Sequence, residues 1–171
     1  MKLHADLLGS FVGAIGLAVD PSGALVRTAF LGDGARAELE ALLARESLEV
    51  AWSPEACRAV TLQLAEYFRG RRRVFEIVLA PRGGTDFQRS VWDELARIPY
   101  GTTIPYGELA RRVGQEGGAR AVGQANHVNP LPIVVPCHRV IGADGMLTGF
   151  GGGLDAKRRL VDFEQGQGSL F

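Results

Sequence analysis

Cysteine is scarce: Cys57 and Cys137 are the only two in 171 residues. That excludes a disulfide scaffold and a zinc site built from four cysteines of this chain. Net charge is lacking too, with 19 basic against 19 acidic side chains. A nucleic-acid binder driven by overall positive charge is excluded, while a local basic patch is not. The longest apolar run, 11–19, is too short to cross a bilayer. No signal-peptide pattern opens the sequence, so a cytoplasmic, reducing setting and no membrane partner are expected. Repeats and low-complexity tracts are absent.

What is present is ordinary for a globular chain, at 46% hydrophobic and 22% charged residues. Disorder over most of the length is excluded. Glycine is abundant at 23 residues, and ten of them crowd into 114–123 and 142–153. Such clusters mark turns and places where another body approaches the backbone.

The first half patterns as strands followed by a helix. Residues 3–9, 15–19 and 24–30 are short apolar segments, and Asp20-Pro21-Ser22-Gly23 is a turn signal. Ser53-Pro54 opens a helix with an N-cap and a first-turn proline. Cys57, Val60, Leu64, Tyr67 and Phe68 recur along it at helical spacing, so Cys57 is a core residue. Residues 74–79 are expected as a further strand, with the core on one side of a small sheet. The run Arg71-Arg72-Arg73 is a solvated face. Residues 80–86 form a linker between an N-terminal domain, 1–79, and a C-terminal domain, 87–171.

The second half patterns as helices followed by a hairpin. Thr85-Asp86-Phe87-Gln88 is a capping box opening a helix. Short helices follow over 106–113 and 118–126, joined by a glycine-containing turn, a helix-turn-helix pattern. Residues 133–135 are expected as a buried strand. Asp144-Gly145 signals a hairpin, which beside a helix-turn-helix is a wing. Residues 154–164 close the fold as an amphipathic helix, and the glycine- and glutamine-rich tail 165–171 frays.

Cys137 centres the chemistry, in Pro136-Cys137-His138-Arg139-Val140. A free thiol titrates near 8.5 and needs help to ionise at neutral pH. His138 and Arg139 offer donors and positive potential. In a strand, however, His138 points away from the thiol and needs a bridging water. The local chemistry leaves two readings level: an activated nucleophile, or an inert buried thiol beside a surface histidine. Glu164 lies on the apolar face of its helix with Leu160 and Val161. Either it pairs with His138 to complete a relay or it turns to solvent at the helix end, the plainer reading from the residues alone. Arg120 projects from a bare helix surface of Gly117, Gly118, Ala119, Ala121 and Gly123. It either enters a DNA groove or lies along a helix-packing surface.

These motifs, with Asn129-Pro130, Arg120-Ala121-Val122-Gly123, Pro99-Tyr100-Gly101, Tyr106 and Gly151-Gly152-Gly153-Leu154, resemble the O6-alkylguanine-DNA alkyltransferases over 85–164. The resemblance implies an α+β fold. A small N-terminal RNase H-like sheet with a helix would precede a C-terminal winged helix-turn-helix domain. It implies irreversible, single-use transfer of an alkyl group from O6-alkylguanine in duplex DNA to Cys137. The lesion would be flipped out through the minor groove by a protein acting as a monomer, alone or cooperatively along DNA. His138 would act as base through a water, Glu164 would orient His138, and Asn129 would tie the recognition helix to the active-site strand. Arg120 would fill the gap left by the flipped base. Gly118, Ala119 and Ala121 would lie against DNA, while Tyr106, Val140, Phe150 and Gly151 would form the base pocket. No cofactor is implied. Some members carry zinc in the first domain, but here that half offers only His4 and Cys57, so no metal is expected. His127 has no assigned role.

Three rivals follow from the same residues. A non-catalytic lesion-recognition protein would lack the acceptor cysteine. A cysteine hydrolase would need an oxyanion hole, and none is evident. A winged-helix regulator would carry more polar side chains on its third helix.

Overall fold

The computed structural model describes residues 1–46 and 48–166. The end of the tail expected to fray, 167–171, lies outside the described residues. The chain divides into two compact units, one covering Met1–Arg82 and the other beginning at Gly83.

In the first unit, β1 (Lys2–Ser10), β2 (Gly13–Val19) and β3 (Leu25–Leu31) form an antiparallel meander. Helix α1 (Ala35–Arg45) then leads to β4 (Glu49–Trp52), which pairs parallel with β1. The sheet order is β3-β2-β1-β4. Leu3 and Ala5 of β1 join Leu39 and Leu43 of α1 in one core cluster. The alternate residue Asp6 accepts from Thr61 of α2 (Pro54–Phe68). Because side chains alternate across a strand, the two helices cover opposite faces. The expected one-sided core is therefore corrected. On β2, Ile15, Leu17, Ala18 and Val19 are all buried, the pattern of a strand covered on both faces.

The N-cap of α2 forms as its sequence indicates, with Ser53 Oγ accepting from the Ala56 amide. The strand expected over 74–79 does not form. Only Leu25 and Leu79 bridge. The Gln63 side chain accepts from the Glu76 N–H and donates to its carbonyl, taking the groups a ladder would use. Arg72 pairs with Glu66 at 2.6 Å and also donates to the Val74 carbonyl, so the arginine run is not wholly solvated.

In the second unit, α3 (Asp86–Leu95) starts at a complete Thr85–Gln88 capping box. Its buried stripe is Val91, Trp92 and Leu95. Strand β5 (Ile104–Pro105) leads into α4 (Tyr106–Arg112), and α5 (Ala119–His127) follows the glycine-rich turn. Helix α5 buries Val122, Ala125 and Asn126. Trp92 of α3 donates to the Ala125 carbonyl at 2.9 Å and anchors the helix from below.

Two expectations fail here. Residues 133–135 form a turn, not a strand: Val135 N–H donates back to the Leu131 carbonyl at 2.8 Å. Pro132 and Pro136 lack the N–H groups a ladder needs. The turn runs into a single 3₁₀ turn, Cys137–Arg139, and then β6 (Val140–Ile141), which pairs parallel with β5. The Asp144-Gly145 turn closes, with Gly142 N–H donating to the Met146 carbonyl at 2.8 Å. Residues 147–150 form no strand, however, so the expected second arm of the hairpin is absent. Helix α6 (Leu154–Glu164) completes the unit. No helix of the described residues is long and apolar enough to cross a membrane.

Candidate active site

The 3₁₀ turn brings Cys137, His138 and Arg139 into the interior, where α6 packs against them. In such a turn, neighbouring side chains are about a third of a revolution apart, not opposed as in a strand. Strand geometry therefore does not turn His138 away from the thiol.

His138 and Glu164 meet directly. Nε2 lies 2.7 Å from Glu164 Oε1, and both side chains are almost wholly buried. Burial alone would raise the Glu164 carboxyl, but His138 and Arg139 more than offset it and hold it well below the usual carboxylate range. A carboxylate only accepts, so His138 Nε2 must donate. The proton then sits on Nε2. Burial also lowers His138 below an ordinary imidazole, against the pull of Glu164. The ring is neutral at physiological pH, and Nδ1 carries its lone pair. That atom is buried and has no hydrogen-bond partner in the protein.

Arg139 does not serve the thiol. Its guanidinium grips both Glu164 oxygens, at 2.8 and 2.9 Å, and donates to the Ile98 carbonyl at 2.6 Å. It fixes the carboxylate that in turn fixes His138. The turn at Pro99-Tyr100-Gly101 packs against the same point. Gly101 has φ +78°, and a Cβ there would lie 3.2 Å from the Glu164 carbonyl oxygen, so only glycine fits without strain.

Cys137 is 5% exposed. Burial pushes its thiol up to about 11, while the Asn129 amide and the charge of Lys157 pull it down. At rest it is a neutral thiol. Asn129 donates to the Val135 carbonyl at 2.9 Å and accepts from Leu131 N–H at 3.0 Å. Asn126, at the end of α5, reaches the Cys137 carbonyl at 3.4 Å. The loop carrying the thiol is thus fastened to the end of α5 by two asparagines. Within it Ile133 adopts φ +77°, rare for a β-branched residue and costing about 1–3 kcal/mol.

A groove of about 880 Å³ runs along the exposed face of α5. Tyr106, Ala119, Arg120 and Gly123 line it, with Gln124 and His127 further along the helix. A Cβ at Gly123 would lie 3.8 Å from the Tyr106 ring, in ordinary contact with it. Arg120 and Ala121 are exposed, and Gly118 caps the helix. Gly118 and Ala121 do not line the groove, and neither do Val140, Phe150 and Gly151. Val140 is fully buried in the β5–β6 pair, and Gly151 is exposed beyond the turn.

Lys157 is the residue that sequence reasoning missed. It lies on α6, fully buried, beside Tyr106 and the Thr148 carbonyl. Its spacing from Leu160 and Glu164 already placed it on the buried stripe, which is the signal that could have found it. Among the described residues no group of three or more His, Cys, Asp or Glu could hold a metal ion.

The second unit thus joins a buried thiol, a neutral histidine bound to a carboxylate, and a groove along an exposed helix. The family model for the DNA-binding domain of 6-O-methylguanine DNA methyltransferase matches residues 86–166. A methylated-DNA–protein-cysteine methyltransferase of Mycolicibacterium paratuberculosis is 54% identical over 66% of this chain and 68% of its own length. One of Methanosarcina barkeri is 42% identical over 95% of this chain and 98% of its own. The crystal structure of Mycobacterium tuberculosis OGT in complex with DNA superposes with a TM-score of 0.82 at 40% identity, covering 96% of this chain and 94% of that one. The O6-methylguanine-DNA methyltransferase of Pyrococcus kodakaraensis superposes at 0.67 and 26% identity, over 95% and 98%. The chain belongs to the methylated-DNA–protein-cysteine methyltransferase family.

Proposed function

We propose that this chain repairs DNA by moving the alkyl group of O6-alkylguanine directly onto Cys137. The observation that carries the assignment is the neutral His138, held by Glu164, with an unpartnered Nδ1 lone pair beside a buried protonated thiol. Nδ1 accepts the thiol proton through a bridging water as the sulfur attacks the alkyl carbon. The C–S bond forms, the C–O6 bond breaks and the base departs. Glu164 stabilises the imidazolium that forms, and Arg139 keeps the carboxylate in place. The thioether product is a poor leaving group, so each molecule acts once.

An alkylated base stacked in a duplex cannot present its carbon to a buried sulfur, so it must be extruded. Helices α4 and α5 act as a helix-turn-helix, with residues 142–150 in the place of a wing. Gly118, Ala119 and Ala121 let the minor groove approach α5 closely, and Arg120 enters the stack where the base has left. Tyr106 closes on the flipped guanine, with Val140, Phe150 and Gly151 contributing backbone to its edge. Asn129 couples the end of α5 to the thiol loop. The order β3-β2-β1-β4 supports an RNase H-like first domain, 1–79, joined through 80–86 to the repair domain, 87–171.

Intact-protein mass spectrometry after mixing with an O6-methylguanine duplex tests this. One methyl group per molecule, mapped to Cys137 and absent from Cys137→Ala, is expected. Tight lesion binding with no mass gain would leave a recognition protein instead.

A further inference from the structure

Among the described residues, four buried side-chain nitrogen or oxygen atoms have no hydrogen-bond partner in the protein. Two of them, His138 Nδ1 and Asn126 Oδ1, belong to the second unit. Nδ1 is the proton acceptor of the relay described above. Asn126 has no part in that relay, yet it is a polar side chain only 3% exposed, on the buried face of α5 with Val122 and Ala125. A core amide with an idle acceptor is costly where an apolar side chain would pack. Its donor half does not account for it. Nδ2 reaches the Cys137 carbonyl at 3.4 Å, but that carbonyl already accepts from the Val140 N–H.

The same bond fixes which way the amide is turned. A carbonyl only accepts, so Nδ2 is the half that faces it and Oδ1 is the half left over. The Cys137 carbonyl belongs to the peptide that joins Cys137 to His138. Asn126 therefore grips the link between thiol and imidazole. The sulfur, the idle Nδ1 and the idle Oδ1 are all carried by side chains attached to, or bonded to, that one peptide group.

We propose that Asn126 positions the water that carries the proton from Cys137 to His138. This rests on the reading that Cys137 takes an alkyl group with His138 as its base. A buried water makes about three hydrogen bonds, and the site supplies three partners. The water gives one hydrogen to Nδ1 and the other to Oδ1, which turns a lone pair toward the thiol. Without Oδ1 the second hydrogen has no partner in the interior, and the water can turn a hydrogen toward the sulfur instead. In the transfer the S–H proton passes to the water, and the hydrogen on the Nδ1 side passes to His138. The S–H pair stays on sulfur, a sulfur lone pair forms the C–S bond, and the C–O6 pair leaves with the guanine as an anion that solvent protonates. The water is regenerated, still held by Oδ1. Asn126 acts through the water and touches neither sulfur nor base, so it is a positioning residue.

The test follows single-turnover transfer from free O6-benzylguanine to Cys137 between pH 6 and 10, in the wild type, Asn126→Leu and Asn126→Asp. The free base is used because Asn126 lies on the helix that faces the groove. Asn126→Leu is expected to be about tenfold slower or more at pH 7. The deficit should shrink toward pH 10, since the thiol, pushed up to about 11, then begins to ionise without a relay. The charged and titratable groups that face the sulfur, His138 and Lys157, are common to all three proteins, so the ratio of rates isolates Asn126. The leucine variant should melt at or above the wild-type temperature, because the idle acceptor is gone. A buried carboxyl keeps its proton, so Asn126→Asp retains both the shape and an acceptor oxygen and should stay within about threefold of wild type at pH 7. Asn126→Met makes the same comparison if the leucine variant does not fold. A deficit equal at pH 7 and pH 10, an aspartate variant as slow as the leucine one, or a wild-type rate in the leucine variant would overturn the proposal. Failure of the wild type to form any adduct on Cys137 overturns the alkyl-transfer reading itself.

Discussion

His138 and Glu164 meet at 2.7 Å inside the protein, and the carboxylate is held from its other side by Arg139. The contact fixes the tautomer of the imidazole, and with it the direction in which the ring can accept a proton. Glu164→Gln breaks the charge balance without changing the shape. Truncating one partner of a buried ion pair costs about 3–5 kcal/mol, which for a chain of this size lowers Tm by roughly 10 °C. The amide can also present N–H to His138 and reverse the tautomer. Single-turnover methyl transfer should therefore slow at least tenfold. Calorimetry and rapid-quench kinetics check the two effects separately.

The same contact sets a pH dependence of stability. Burial lowers His138 from 6.5, so the unfolded chain binds a proton below pH 6.5 that the folded chain refuses. Where the unfolded state binds more protons, stability rises with pH. Stability should thus fall as pH drops below 6.5. Glu164, lowered from 4.5, adds a second loss only below that value. Urea unfolding at pH 7, 6 and 5 measures the first slope. His138→Gln should flatten it between pH 7 and 5.

Arg120 projects from the exposed face of α5 into the groove. Arg120→Ala should weaken repair of a methylated duplex by tenfold or more. Transfer from free O6-benzylguanine should change little, because no base stack has to be held open. Equal losses on the two substrates would remove Arg120 from base extrusion.

Gly101 offers a test from outside the reacting groups. Gly101→Ala places a methyl group 3.2 Å from the Glu164 carbonyl and forces an L-residue to φ +78°. A loss of more than about 1 kcal/mol is expected from the backbone alone. The end of α6 must also shift, so transfer should slow although no reacting side chain has changed. Thermal melting and transfer kinetics on the same preparation read both.

Local signals carried the helices into the sequence reading. The Thr85–Gln88 capping box needs only four residues to be recognised, and it forms as written. Ser53 and Pro54 are equally local. By contrast Ile133-Val134-Val135 has the composition of a strand, but a strand requires a partner. Two flanking prolines and the Asn129 bonds bend the segment into a turn instead. Helix α1 escaped notice because only Leu39 and Leu43 of its eleven residues are buried, which leaves little apolar period to see. Cys137, His138 and Glu164 were legible as candidates, but whether Glu164 turns inward depends on Arg139 and Ile98, remote in sequence. Lys157 has no meaning until Tyr106 and Thr148 are placed beside it.

The thiols carry a consequence for how such a protein serves a cell. Cys137 is the one thiol beside the relay, and Cys57 is buried in the first unit, its Sγ bonded to the His4 carbonyl. Neither can lift an alkyl group back off a thioether. Protection against alkylation is therefore an inventory rather than a rate. Lesions up to the number of molecules in stock are removed, and the next one persists until new chains are made. Survival plotted against dose should show a shoulder whose width tracks copy number.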